Sequence, residues 1–464
     1  MAAAIAARQV SAAEVMTAHL DRIAAINPQL NAIIGLRDPA VLIAEAQAAD
    51  RVVASGAALG PLHGLPHAVK DLEPVAGLVW TQGSPILAQQ VAAHDGILAE
   101  RLRRAGVTFI GKTNVPEFGF GSHSYNPVWG VTRNPWNPAL SAGGSSGGAA
   151  AALAADMVPL ADGSDYGGSL RNPAGWNGVW GFRTSIGRIA RDTADDWIPT
   201  PGVTGPMARN LGDLALLLSV MAGWDARMPL AMESDGAALR HIQPEAMKGK
   251  RIAWSGDFGG AVPFDPGVLD TCAAAVNKFA AMGAHIDVAV PDFPVAQAWR
   301  AFVGLRHWHS GPGLLPYYND PARRALLKPE AVWEIEGGFG LSAYNIAALS
   351  AIQTQWSRAV AALLRRYDYW IVPTAQVWPF AVEAHWPQVV GGKPMQTYHE
   401  WMQAVCLVTL SGCPALAMPA GFGPGGLPMG IQIVAPVHGE ARCLAAAAAY
   451  EAAASDCIAR RPMI

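Results

Sequence analysis

Residues 141–188 read SAGGSSGGAAAALAADMVPLADGSDYGGSLRNPAGWNGVWGFRTSIGR, with two glycine-flanked serine sites on either side of an alanine-rich run. In the first, Gly143-Gly144-Ser145-Ser146-Gly147-Gly148, glycine permits positive φ and the close approach of another chain or a substrate. In the second, Asp165-Tyr166-Gly167-Gly168-Ser169, successive N–H groups can form an anion-binding turn beside a hydroxyl. Ala149 to Ala155 contains no β-branched residue and predicts a helix, followed by a short strand at about Val158 to Ala161. Alanine-rich helices alternating with short apolar strands along the whole chain predict an α/β fold. A flexible Gly/Ser linker is the other reading of GGSSGG, and the apolar sequence on both sides argues against it.

The pair GGSSGG and GSDYGGSLRNPA resembles the signature of the amidase signature family, and GPLHGLPHAVKD upstream resembles the family segment that carries a catalytic lysine, here Lys70. GKTNVPEFG, TRNPWN and the closing SGCPALAMPAGFGPGGLPMGIQIVAP extend the resemblance from about Ser11 to Ala454. The family's GLKPTxGR is replaced by GFRTSIGR, in which Arg183 keeps the positive charge and Thr184 loses a proline. Ser164 for threonine and Asp156 for glycine are further departures, and none falls on Lys70, Ser145 or Ser169. The resemblance implies one α/β domain over residues 1–464, its mixed central sheet covered by helices on both sides. It also implies N-terminal helices in 1–60 and a variable, aromatic-rich segment at about 295–400 that shapes the substrate pocket.

By that resemblance Ser169 is the nucleophile, neutral Lys70 the base, and Ser145, after a cis peptide bond, the proton relay between them. The N–H groups of Tyr166, Gly167, Gly168 and Ser169 are expected to hold the oxyanion, with the Tyr166 side chain lining the acyl pocket. A lone lysine is ordinarily a surface charge. The apolar neighbours of Lys70 predict burial instead, and burial is what lowers a lysine's pKa enough for it to act as a base near neutral pH. Lys112, Asn114, Glu117 and Asn134 read as scaffold hydrogen-bonding groups, and Asp165 with Arg171 as an ion pair that fixes the nucleophile turn.

The 33 basic and 36 acidic residues are spread evenly over 464 positions, which points away from nucleic acid and membrane surfaces and toward small-molecule chemistry. Five cysteines without a C-x-x-C pair suggest neither a disulfide framework nor a zinc site, and no histidine stands at metal-ligand spacing, so no metal and no cofactor is expected. No apolar run reaches 18 residues and no signal-peptide pattern opens the chain, which gives a cytoplasmic enzyme as the expectation. Ser11 and Glu14 form a capping box, Asn27-Pro28 is expected to break the first helix, and Gly205 to Arg209 reads as a turn before an apolar helix.

Three functions are compatible with these residues. The first is a free-standing hydrolase of small hydrophobic or aryl amides, extending to esters and carbamates (a urethanase activity). The second is the glutaminase subunit of a tRNA-dependent amidotransferase, and the third a catalytically dead binding protein. Aromatic enrichment without basic enrichment favours the first, and the intact Lys70, Ser145 and Ser169 disfavour the third.

Overall fold

Eight strands form the central sheet of the computed structural model, which describes residues 1–192, 200–234 and 236–464. Their spatial order is His285–Val288, Arg251–Trp254, Tyr369–Pro373, Pro428–Val434, Ala415–Phe422, Trp180–Arg183, Val203–Ala208 and Leu160–Asp165. The first three run parallel and every later neighbouring pair is antiparallel, so the sheet is mixed, as the α/β expectation required. Tyr369–Pro373 and Pro428–Val434 are buried at every position, the pattern of strands covered on both faces. Helices Arg171–Asn177, Leu211–Met221, Val268–Ala281 and Glu440–Ala453 pack along the sheet. The five cysteines are all free and buried.

A second, three-stranded sheet carries Lys70 at the end of Pro66–Lys70, which pairs in parallel with Thr108–Thr113. Its contact with the large sheet is polar: the Lys70 N–H lies 3.3 Å from both carboxylate oxygens of Asp162, on the edge strand Leu160–Asp165. Between the two serine sites runs helix Gly147–Ala154, buried at all eight positions. Its alanines present so little side chain that neighbouring backbone can press against it, which holds the first serine site at a fixed distance from the second.

Three local expectations are corrected. The first long helix, Ala12–Leu30, runs through Pro28. Pro28 lies in the last turn, where its missing N–H costs one bond, and Asn27 accepts from the N–H groups of Ala32 and Ile33 at 2.9 Å each to close the helix end. The strand expected at Val158 to Ala161 is Leu160–Asp165, because pairing with Val203–Ala208 keeps the poor strand formers Gly163, Ser164 and Asp165 extended. Gly205 to Ala208 is strand rather than turn: all six residues of Val203–Ala208 are buried between two neighbours, and tertiary pairing overrides the Gly-Pro signal. The 295–400 segment forms helices Val295–Ser310, Pro329–Phe339 and Ala343–Arg366, but it also supplies Tyr369–Pro373, an inner strand of the central sheet.

Arg171, at the start of helix Arg171–Asn177, is sealed from solvent and commits all five of its N–H donors. Nε and Nη2 grip the Asp165 carboxylate at 2.9 Å each, Nη1 donates to Val405 O (2.9 Å) and Gln432 Oε1 (2.6 Å), and Nη2 also reaches Thr409 Oγ1 (2.7 Å). One side chain thereby ties the second serine turn to helix Gln403–Ser411 and to strand Pro428–Val434. Arg171→Met is expected to cost about 3–5 kcal/mol of stability in urea denaturation, because it removes the two-pronged partner of a buried carboxylate and leaves it only the longer contact with Arg183. Arg171→Lys, with its donors on a single nitrogen, should recover only part of that loss. A cost under about 1 kcal/mol for Arg171→Met would refute this role.

Candidate active site

The second serine turn is built on its aspartate. Gly168 has φ +99°, a conformation that favours glycine, and a Cβ there would run into the Val405 side chain. Asp165 Oδ1 accepts from the Gly168 N–H at 3.0 Å, and Oδ2 from the Leu170 N–H at 3.2 Å. Burial by itself would raise the Asp165 carboxyl, but Arg171 and Arg183 outweigh it and hold the group well below the usual carboxylate range. Arg183 also donates to the Asp165 carbonyl at 2.7 Å, so the positive charge kept in GFRTSIGR belongs to the same turn.

The first serine site is held by a different set of bonds. The Gly144–Ser145 peptide is cis, Gly143 has φ +77°, and Ser122 Oγ donates to the Gly144 carbonyl at 2.5 Å. The Ser146 N–H donates to the Ser169 carbonyl at 3.3 Å, which joins the two sites directly.

Lys70 is wholly buried, and its Nζ lies 2.8 Å from Ser145 Oγ, 2.9 Å from Ser146 Oγ and 2.9 Å from Ser164 Oγ. Burial lowers its pKa to about 7, against the pull of Asp162, Asp165 and Glu73 in the opposite direction. Both protonation states are therefore populated near neutrality. An ammonium finds an acceptor for each of its three protons, and an amine can accept a proton from one of the same hydroxyls. Ser146 and Ser164 are partners that motif reading did not assign, although GGSSGG presents Ser146 beside Ser145 and Ser164 stands at a family threonine.

Ser145 and Ser169 line one cavity of about 380 Å³, at 3% and 9% exposure. Tyr166 and Gly167 line it as well. Gly168 has its N–H committed to Asp165, so of the four groups expected to hold an oxyanion this one is already engaged. The N–H groups of Gly167 and Ser169 have no hydrogen-bond partner among the described residues. The Tyr166 hydroxyl lies within hydrogen-bond distance of His309 Nδ1 at 2.8 Å, and burial lowers His309 to about 4, so the ring is neutral.

Aromatic and apolar residues form much of the remaining wall, among them Phe118, Phe302, Leu314, Tyr317 and Met402. The 295–400 segment contributes to this wall, but its tryptophans do not. Trp356, Trp370 and Trp401 are fully buried, and Trp401 stacks on Trp176 at 5.6 Å between ring centroids.

Lys112, Asn114, Glu117 and Asn134 lie outside the cavity wall as scaffold groups. The Lys112 ammonium donates to the Glu73 carbonyl, and Glu117 accepts from Ser84 Oγ (2.6 Å) and the Lys328 N–H (2.7 Å). Asn114 and Asn134 donate to backbone carbonyls. Among the described residues no group of three His, Cys, Asp or Glu is placed to hold a metal ion, and no helix is long and apolar enough to cross a membrane.

The family model described as Amidase matches residues 14–444. An acylamidase of Rhodococcus erythropolis is 34% identical over 97% of this chain and 94% of its own length. A glutamyl-tRNA(Gln) amidotransferase subunit of Azoarcus sp. (strain BH72) is 35% identical over 99% and 98%. Among solved structures, a bacterial aryl acylamidase superposes with a TM-score of 0.90 at 27% identity, over 100% of this chain and 98% of its own. With a family model spanning nearly the whole sequence and relatives a third identical along it, the chain belongs to the amidase signature family.

Proposed function

We propose that this amidase-family hydrolase cleaves carboxamide C–N bonds of small hydrophobic or aryl substrates through an acyl-enzyme on Ser169, and that esters and carbamates are attacked at the same carbonyl position. One observation carries the reading: a lysine with its pKa lowered to about 7 is hydrogen-bonded at 2.8 Å to Ser145, which lines the same cavity as Ser169, a cavity of mixed polar and apolar wall with several aromatic rings. The similarity to an acylamidase and to an aryl acylamidase supports it.

The chemistry divides into two halves. Ser169 Oγ attacks the carbonyl carbon as its proton passes through Ser145 to neutral Lys70, and the C=O electron pair moves onto oxygen, opposite the N–H groups of Gly167 and Ser169. Collapse breaks the C–N bond while the proton returns through Ser145 to the departing nitrogen. Water then repeats the sequence on the ester, releasing the carboxylic acid and Ser169. The Lys70 amine carries the proton between these halves, which is why a pKa near that of the medium suits it.

A glutaminase role is the second reading, favoured by the similarity to the amidotransferase polypeptide. Free glutamine carries an α-ammonium that needs an acidic partner once it leaves water. Among the described residues that line the cavity there is no Asp or Glu, which favours the uncharged substrate class. Purified chain given a chromogenic anilide and glutamine side by side tests the choice: anilide turnover without ammonia release from glutamine is expected, and the reverse would overturn it.

Ser169→Ala should lower kcat by about 10⁴-fold or more while leaving substrate binding measurable. A fluorophosphonate should add its mass to the tryptic peptide holding Ser169, and inactivation with label elsewhere would refute the assignment.

The pH–rate profile supplies the test of Lys70. A folded pKa of about 7 puts the ammonium in the majority below that pH and the amine above it, so kcat/KM should rise as pH climbs through about 7. Burial also raises Glu73 to about 7, and its carboxylate favours the Lys70 ammonium. In Glu73→Gln the limb should therefore persist and move to lower pH. If that substitution abolishes the limb, Glu73 rather than Lys70 is the titrating group.

A further inference from the structure

Arg306, on helix Val295–Ser310, shares the cavity with Ser169 and has no part in the chemistry described above. Its side chain is nine-tenths buried and fixed on three sides. Nε points at Glu334 Oε1 (2.7 Å) and His399 Nε2 (2.9 Å), and Nη2 lies 3.4 Å from the Tyr398 hydroxyl. Burial lowers His399 to about 4, so its ring is neutral and can accept. The guanidinium packs against two rings, with its carbon 4.7 Å from the Tyr166 centroid and 5.3 Å from that of Phe120. The remaining nitrogen, Nη1, has no hydrogen-bond partner among the described residues.

We propose that Arg306 is a substrate anchor whose Nη1 donates to a neutral carbonyl oxygen that the substrate carries in addition to the scissile one. The proposal rests on the amide-hydrolase reading of the Ser169 cavity and narrows its substrate class. A guanidinium needed only to join helix Val295–Ser310 to helix Pro329–Phe339 would be complete with Glu334. Here the two rings and the Glu334 edge hold the group rigid while one donor nitrogen stays open, which is how a donor is pre-organised for a ligand acceptor.

The charge balance selects a neutral acceptor. Glu334 is held in its ionised form: burial would raise its pKa, but the Arg306 guanidinium keeps it well below the usual carboxylate range. It thus cancels the guanidinium charge, and among the described residues the cavity wall offers no second fixed cation. A substrate carboxylate would enter as an uncompensated buried charge, whereas a ketone, amide or urea oxygen takes the hydrogen bond without that penalty. Tyr166, three residues before Ser169, touches the guanidinium, so one small molecule can span both groups.

The test compares 4-nitroanilides of pentanoic, 4-oxopentanoic and succinic acid, together with the 4-ethylanilide and 4-acetylanilide of pentanoic acid, which carry the acceptor on the amine side. Affinity is read as Kd by calorimetry on Ser169→Ala, and turnover as KM and kcat on the unmodified enzyme. One ketone-bearing member is expected to bind about ten- to a hundredfold more tightly than its matched alkyl partner, the range for a hydrogen bond to a charged donor. The gain should appear in KM rather than in kcat. Arg306→Lys should shrink that ratio. The Arg306→Met/Glu334→Gln double variant, which strands no charge, should bring it to about one.

A purely structural arginine predicts the opposite: every substrate weakens in proportion and the ratio survives in both variants, which overturns the anchor. A succinyl compound that binds best overturns the neutral-acceptor assignment. Ketone preference in Kd without turnover of any anilide sinks the hydrolase reading and keeps the anchor. Turnover without preference does the reverse.

Discussion

The Asp165 carboxylate is closed off from water and faces two guanidiniums, and the geometry of the second serine site follows from how that charge is satisfied. Its oxygens collect the N–H groups of Gly168 and Leu170, which bends the chain so that Ser169 opens onto the cavity. Arg171 carries the constraint outward to Val405, Thr409 and Gln432, elements more than 230 residues away in sequence. A turn of glycines has little conformational preference of its own. Here its shape is fixed by bonds to a buried charge that is costly to leave unpaired.

Burial acts on Lys70 in the opposite sense. The same low-dielectric interior that makes the Asp165 pairing strong makes an ammonium costly, and three serine hydroxyls are what Nζ meets in place of water. Asp162 bonds to the backbone of Lys70 rather than to its Nζ, so it anchors the strand while pulling the pKa back toward the ordinary value. The proposed base thus sits between two opposing effects, and its pKa of about 7 is their difference.

The cavity wall divides by side-chain chemistry. Elements close to the serine sites in sequence supply Tyr166 and Gly167, while Leu72, Gln82, the loop around Phe118 and the chain after residue 295 supply much of the rest. None of the tryptophans that made the 295–400 segment conspicuous lines that wall: Trp356 and Trp370 are fully buried, and Trp299, Trp308, Trp333 and Trp378 are half-buried elsewhere. Arg306, bonded to Glu334, Tyr398 and His399, is therefore the part of the segment that gives the cavity a direction, because it is the only charged side chain on the cavity wall among the described residues.

By itself the sequence determined the α/β class, the capping box at Ser11, the helix between the serine sites, and Lys70, Ser145 and Ser169 as the residues worth bringing together. Those features are local or lie in motifs, so spacing and residue type suffice. Strand order, the strand at Gly205 to Ala208 and the continuation of the first helix past Pro28 came from tertiary structure alone, because pairing partners and burial overrode local preference. So did Ser146 and Ser164 at Nζ, the commitment of the Gly168 N–H to Asp165, and Arg306 at the cavity. Arg306 stands 137 positions from Ser169 in a stretch without a motif, and its meaning lies in which of its nitrogens are already bonded, a property that no sequence pattern encodes.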